Sequence, residues 1–426
     1  METNNIGKME ESKVENVEEN KTSILQSFNS SVLKVQPAER LNLVSEYYFS
    51  RKLKEVARMN AEGKDVISLA IGSPDMPPSE QTVSKLCEVA QQADAHGYQP
   101  TMGTPELRRA MALYYNKVYH VELDPQTEVL PLIGSKEGIL HVTLAFCNPG
   151  DTVLVPNPGY PTYTSLSKLL GCNVQYYDLK EENGWQPDFD QLEQMVNCKL
   201  LWCNYPHMPT GAPARQETYD RLVSFALRHN IVIVNDNPYS RILNDRPLSI
   251  FNSPQAMDCC IEFNSLSKSH NMPGWRVGMC LANAEFISWI LKVKSNIDSG
   301  TFRGIQLAAA EALTSNSDEW HMEHNIGIYR RRRHLAEQIM QVLGCTYDPQ
   351  QVGMFLWGRI PDIYNNVEEL TERILHEARV FITPGFIFGS NGERYIRISL
   401  CAKEEKMQEA LQRIKAYPSP PEGRDV

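Results

Sequence analysis

The chain has 426 residues, 42% hydrophobic and 22% charged, with a formal net charge of -10. That size and composition suit a soluble globular protein of two domains. The acidic balance argues against a nucleic-acid partner, which favours a basic face. No run of about 18 apolar residues occurs, so no membrane span is expected.

Ten cysteines are scattered without a C-x-x-C pair, which argues against a zinc or thioredoxin-like site and fits a reducing compartment. No metal site is expected. The N-terminus is acidic and polar instead of basic-then-apolar, so the cytoplasm is the expected location.

Residues 1–35 are rich in Glu, Asn, Lys and Ser and read as a solvated tail. Leu41, Val44, Tyr48, Leu53 and Val56 predict a helix over 38–61, and a short buried strand follows over 66–71, ending at Gly72. From Pro105 helix and strand alternate: helix 106–119, strand 128–133, helix 135–147 and strand 152–155. Further strands are expected over 174–178, 200–203, 231–236, 260–264 and 276–281, with helical stretches between many of them. This rhythm predicts an α/β fold, with a mostly parallel sheet covered by helices.

From about Asp318 longer helices carry a few strands, the last over 394–400, and predict a smaller α+β domain. Within it, Arg330-Arg331-Arg332-Arg333 would fan around a helix, which reads as a solvated surface. The expected division is a tail of 1–35, a large domain of 72–317, and a small domain built from 36–71 and 318–418.

Five segments carry candidate chemistry. Gly134-Ser135-Lys136-Glu137-Gly138 follows a strand directly, and a strand that turns through glycine into a helix offers free backbone N–H groups to an anion. Pro156-Asn157-Pro158-Gly159-Tyr160-Pro161-Thr162-Tyr163 aims aromatics from a strand's carboxyl end, where Tyr160 can stack on a flat ring. Asp236 ends an apolar strand, where a carboxylate needs a partner such as a protonated pyridine nitrogen, and Tyr239 follows it closely.

Lys268 lies in Ser265-Leu266-Ser267-Lys268-Ser269, with Gly274 and Arg276 just beyond. A lysine held from bulk water can form a Schiff base, and the hydroxyls and arginine suit a phosphate. Arg397 alternates with Ile396 and Ile398 in a strand, and its fork suits a carboxylate. Each segment also has a plain structural reading: a capped helix start, a proline-rich loop, a strand-terminal turn, a polar surface loop, an edge ion pair. Together they point to pyridoxal phosphate.

Over about residues 40–415 the sequence resembles the class I/II aminotransferases, which are fold-type-I pyridoxal-phosphate enzymes. The resemblance is carried, in family order, by Ile71-Gly72-Ser73-Pro74-Asp75, Gly97-Tyr98-Gln99, the Gly134 turn, the Pro158-Gly159-Tyr160-Pro161 loop, Pro209-Thr210-Gly211, Asp236 with Tyr239, the Lys268 run and Arg397. The run from Lys268 to Gly278 most resembles the aspartate, alanine, aromatic and LL-diaminopimelate subgroup.

The resemblance implies an amino-group transfer between an L-amino acid and a 2-oxo acid. Lys268 would hold the cofactor as a Schiff base and shuttle the proton, and Asp236 would bind the pyridine nitrogen. Tyr239 would bind the ring hydroxyl, and Tyr160 would stack on the ring. Ser135, Lys136, Ser265, Ser267 and Arg276 would hold the phosphate. Tyr98 would reach the phosphate of a second subunit, which implies a homodimer with shared sites. Arg397, assisted by backbone near Gly72, would bind the α-carboxylate.

One departure stands out: Met208 occupies the place of a family asparagine that donates to the ring hydroxyl, leaving that task to Tyr239. It raises the alternative of a lyase, decarboxylase or synthase on the same scaffold. A ligand-sensing regulator is a further alternative, although the acidic tail is too short for a helix-turn-helix. Lys294 and Arg303 are candidates to read a side-chain carboxylate, with surface charge as the plain reading of each.

Overall fold

The computed structural model describes residues 35–44 and 48–416. The expected tail of 1–35 lies, but for its last residue, outside the described residues. The chain divides after Leu43. Before that point Glu39–Leu43 forms a short 3-10 helix with no buried residue. Everything below concerns the unit from Val44 onward. There the expected helix over 38–61 is a helix of Tyr48–Ala61 that buries Val56 and Met59. The strand expected over 66–71 pairs only across β1 (Ile67–Ser68).

Seven strands make the main sheet: β2 (Val129–Leu132), β3 (Thr152–Asn157), β4 (Asn173–Asp178), β5 (Leu200–Cys203), β6 (Val232–Asp236), β7 (Cys260–Ser265) and β8 (Gly278–Leu281). Their order is β2-β8-β7-β6-β5-β3-β4. β8 runs antiparallel to both neighbours and the remaining pairs are parallel. β8 starts later than the strand expected over 276–281, because Arg276 adopts a left-handed backbone (φ 57°) that cannot join a ladder.

The central strands are buried on both faces, so their sequences are apolar throughout and alternate between two cores. Leu200 and Trp202 enter one core, Leu201 and Cys203 the other. Helices Ser135–Phe146 and Ala284–Lys294 cover the first through Ile139, Val142, Ile287 and Ile290. Helix Gln216–His229 covers the second through Tyr219, Leu222 and Phe225.

Four further strands are β9 (Phe355–Arg359), β10 (Val380–Phe381), β11 (Thr383–Pro384) and β12 (Tyr395–Ser399). β11, β12 and β9 form an antiparallel sheet in that order, and β10 pairs in parallel with β1. Leu356, Ile396 and Ile398 join the same core as Leu201, so this sheet and the main one share buried surface. Truncating one such side chain costs roughly 2–5 kcal/mol.

Only half of the arginine run is a solvated face: Arg330 and Arg331 are exposed, Arg332 and Arg333 are not. Helix Gly327–Val342 buries Tyr329, Ala336, Ile339 and Met340, and Arg332 and Arg333 fall on that same stripe. Both arginines are buried, and Arg332 grips Asp75 through two hydrogen bonds of 2.6 and 2.9 Å. Among the described residues no helix is long and apolar enough to cross a membrane.

Candidate active site

The carboxyl ends of β2, β3, β5, β6 and β7 meet β12 around a cavity of about 390 Å³. Open α/β sheets place ligands at this edge, where strand ends leave loops free to vary. Lys268, Asp236, Tyr239, Ser135, Lys136, Tyr160, Ser265, Ser267, Arg276, Gly72 and Arg397 all line it. Tyr98 does not; it is 95% exposed.

Asp236 ends β6 and is buried. Its Oδ2 accepts a hydrogen bond from the Tyr163 hydroxyl at 2.9 Å, while Oδ1 is buried without a hydrogen-bond partner among the described residues. Burial pushes the carboxyl up to about 6; the Tyr163 bond and Lys268 oppose that rise and Glu262 adds to it. The Asn204 amide donates to the Asp236 backbone carbonyl, and Asn204 Oδ1 accepts from the Met208 N–H at 2.8 Å.

Lys268 sits on the short helix Leu266–Ser269, capped by Ser265, whose hydroxyl accepts from the Ser267 N–H at 3.2 Å. Its amine donates to the Gly72 carbonyl at 2.5 Å. Burial lowers the amine below its ordinary value; Arg397 and Arg276 act in the same direction, Cys401 and Asp236 against it. A lowered amine is the condition for a lysine nucleophile.

At one part of the cavity the β2 strand turns through Gly134 (φ 75°) into helix Ser135–Phe146. A Cβ on Gly134 would lie 2.0 Å from Arg276 Nη2, so the guanidinium rests directly on this backbone. The Ser265 and Ser267 hydroxyls are 2.9 Å apart beside it. Arg397, on β12, donates to the Ala70 carbonyl at 2.8 Å and approaches Met208 Sδ at 3.3 Å. Its guanidinium lies 4.0 Å from the Phe355 ring centre and 4.7 Å from that of Phe388.

The sequence reading passed over Tyr163, Asn204, Phe355 and Phe388. Tyr163 had a usable signal: in helix Pro161–Leu169 it lies one turn beyond Tyr160, and it stacks on Trp202 with centroids 4.9 Å apart and planes 7° apart. Lys294 and Arg303 prove to be committed elsewhere. Lys294 is buried, donates to Asp298 at 2.5 Å and lies 3.6 Å from Glu137; Arg303 pairs with Asp94 at 2.9 Å. Lys294 is therefore an interior ion pair and no surface charge.

This architecture is that of an aminotransferase. A substrate-bound BacF structure from Bacillus subtilis superposes with a TM-score of 0.84 at 34% identity, covering 90% of this chain and 98% of that one. An aromatic aminotransferase from Pyrococcus horikoshii OT3 gives 0.80 at 29% identity, over 89% and 97%. An LL-diaminopimelate aminotransferase of Dehalococcoides mccartyi is 40% identical over 386 residues, 90% of this chain and 99% of the relative.

The chain belongs to the aminotransferase class I and II family, whose model matches residues 64–414. It is a pyridoxal-phosphate-dependent aminotransferase. The residues present fit that cofactor. Asp236 Oδ1 is a buried acceptor lacking a donor among the described residues, as a pyridinium nitrogen requires, and the Gly134 turn pairs backbone N–H groups with Arg276, as a phosphate requires.

Proposed function

We propose that this aminotransferase moves the amino group between an L-amino acid and a 2-oxo acid with Lys268 as covalent anchor and proton carrier. The observation that carries the reading is the Lys268 amine itself: half-buried, held below its ordinary basicity, and in one cavity with Asp236 and Arg397. Pyridoxal phosphate, when bound, supplies an electron sink for the pair left at the substrate's α-carbon.

The chain's own residues would supply the rest. Asp236 would hold the pyridine nitrogen protonated, and the Tyr163 bond would keep its carboxylate ionised and oriented. Ser135, Lys136, Ser265, Ser267 and Arg276 would hold the phosphate, Lys136 through its backbone. Tyr160 would stack on the ring and Tyr239 would donate to its hydroxyl. Arg397 would clamp the α-carboxylate with the Gly72 backbone beside it. The 2.5 Å bond from Lys268 to the Gly72 carbonyl supports a resting place for the amine next to the substrate, from which it would take and return the α-proton.

Further parts of the reading are a homodimer, in which the exposed Tyr98 reaches the partner's phosphate, and a cytoplasmic location, supported by ten free cysteines. The division into a large domain of 72–317 and a small one of 36–71 with 318–418 is supported by sheet membership. The seven-stranded sheet draws only on residues between Val129 and Leu281.

The test is the near-visible spectrum of cofactor-loaded enzyme titrated with single amino acids. The expected result is a loss of the resting band that a 2-oxo acid restores. Release of product without any need for an oxo acid would move the reading to a lyase, decarboxylase or synthase.

A further inference from the structure

Lys268 stands on a helix of a single turn, Leu266–Ser269. A helix that short cannot satisfy its own last carbonyls. The Leu266 carbonyl accepts from the His270 N–H at 3.2 Å as the turn closes. The carbonyls of Lys268 and Ser269 are met from a distant part of the chain: both accept from the Asn325 side-chain amide, at 3.2 and 3.3 Å. The same nitrogen donates to Asn271 Oδ1 at 2.9 Å. Its two hydrogens thus serve three acceptors, so at least one is shared.

Asn325 is 1% exposed and lies in a π-helical turn, Met322–Ile326. Such turns inside helices are often functional. This one closes through a bond from the Gly327 N–H to the Met322 carbonyl. A Cβ on Gly327 would lie 2.5 Å from that carbonyl oxygen, so the turn needs its glycine. Asn271 completes a clamp by donating to the Pro77 and His324 carbonyls, each at 3.3 Å. The helix that follows carries Arg332, which grips Asp75 beyond Gly72. One helical stretch therefore holds both ends of the bond from the Lys268 amine to the Gly72 carbonyl. We infer that Asn325 is a positioning residue for Lys268: its amide fixes the backbone pivot from which the lysine amine reaches the cofactor. This deepens the amino-transfer reading and rests on Lys268 as its anchor. A reacting group misplaced by about 1 Å can lose on the order of 100-fold in rate, so a fixed pivot matters although Asn325 acts only through Lys268.

The test compares wild type with Asn325→Leu, which keeps the shape and removes the donor. Two quantities are read on full-length, cofactor-free protein. One is the rate at which added pyridoxal phosphate is captured covalently, followed by its near-visible band. The other is the affinity for pyridoxamine phosphate, which has the same ring and phosphate but cannot join a lysine. The expected result is capture slowed about tenfold or more, with pyridoxamine phosphate affinity within about twofold of wild type. Gly327→Ala keeps the amide but displaces the π-turn. It should show the same split, and it decides the question if Asn325→Leu does not fold. Leu222→Ala, a buried truncation on helix Gln216–His229, should lower Tm and leave both quantities unchanged. Capture at the wild-type rate, or a loss of pyridoxamine phosphate affinity as large as the loss of capture, would overturn the inference while Lys268 stands. A band that develops equally in Lys268→Ala would overturn Lys268 as anchor, and the inference with it.

Discussion

The Tyr163 hydroxyl donates to Asp236 Oδ2 at 2.9 Å from a ring stacked flat on Trp202. Both groups are buried, so the bond is made where water cannot replace it. It also leaves Oδ1 as the carboxylate's open acceptor. Removing it with Tyr163→Phe should cost about 2 kcal/mol, the penalty for stripping a donor from a buried charged acceptor. The cost should be smaller near pH 5, where Asp236 is largely protonated and needs the donor less. Urea unfolding of cofactor-free protein near pH 8 and near pH 5 checks this, and equal costs at the two would contradict it.

Asp236 makes its own pH prediction. Its carboxyl is raised from 3.8 to about 6, so between those values the folded protein binds more protons than the unfolded chain. Stability contributed by this group therefore falls as pH rises through that window, by about 3 kcal/mol at most. In cofactor-free protein, Asp236→Asn should be more stable than wild type above about pH 7, and the gain should vanish below about pH 4. Asn retains an oxygen for the Tyr163 bond. Thermal unfolding across that range is the measurement, and a gain independent of pH would refute the assignment.

Arg332 and Asp75 should respond unequally to mutation. The Arg332 side chain is 5% exposed and that of Asp75 24%. Asp75→Ala strands a buried guanidinium, which should cost about 3–5 kcal/mol. Arg332→Met leaves a carboxylate that water can reach, and should cost about 1–2 kcal/mol. Denaturant unfolding of the two variants gives the order directly, and the reverse order would contradict the account. The pair also ties down the segment three residues beyond Gly72, whose carbonyl receives the Lys268 amine.

These cases also mark what could be read from residues alone. Asp236 and Arg397 were legible because each interrupts or ends an apolar strand pattern with a group that burial would punish unless used, and Lys268 because hydroxyls and an arginine surround it in the sequence. Gly134 was legible because a strand turning through glycine into a helix exposes N–H groups whatever packs above it. Tyr163 was not, since a tyrosine one turn from another reads equally well as core. Arg332 was misread because four adjacent charges suggest a wet face, although Tyr329, Ala336 and Met340 place it on the buried stripe. Lys294 needs Glu137, far away in sequence, before its burial makes sense.

The Gly134 turn offers a further test. An alanine there would combine a left-handed backbone with a Cβ 2.0 Å from Arg276 Nη2. Gly134→Ala should weaken pyridoxal-phosphate binding by about tenfold or more, from roughly 1–3 kcal/mol of strain and displacement. Gly63→Ala is the control: its φ of +80° imposes comparable backbone strain, but nothing lies within 4 Å of the added carbon. It should lower stability and leave cofactor affinity unchanged. Fluorescence titration of cofactor-free protein reads both, and equal affinities for the two variants would refute the cradle.

The central claim is that Lys268 carries the cofactor. The direct measurement is borohydride reduction of the loaded enzyme, followed by digestion and mass mapping of the phosphopyridoxyl group. The account predicts the label on Lys268 and its loss in Lys268→Ala. A label on Lys136, Lys294 or any other lysine, or one that persists in Lys268→Ala, would contradict it.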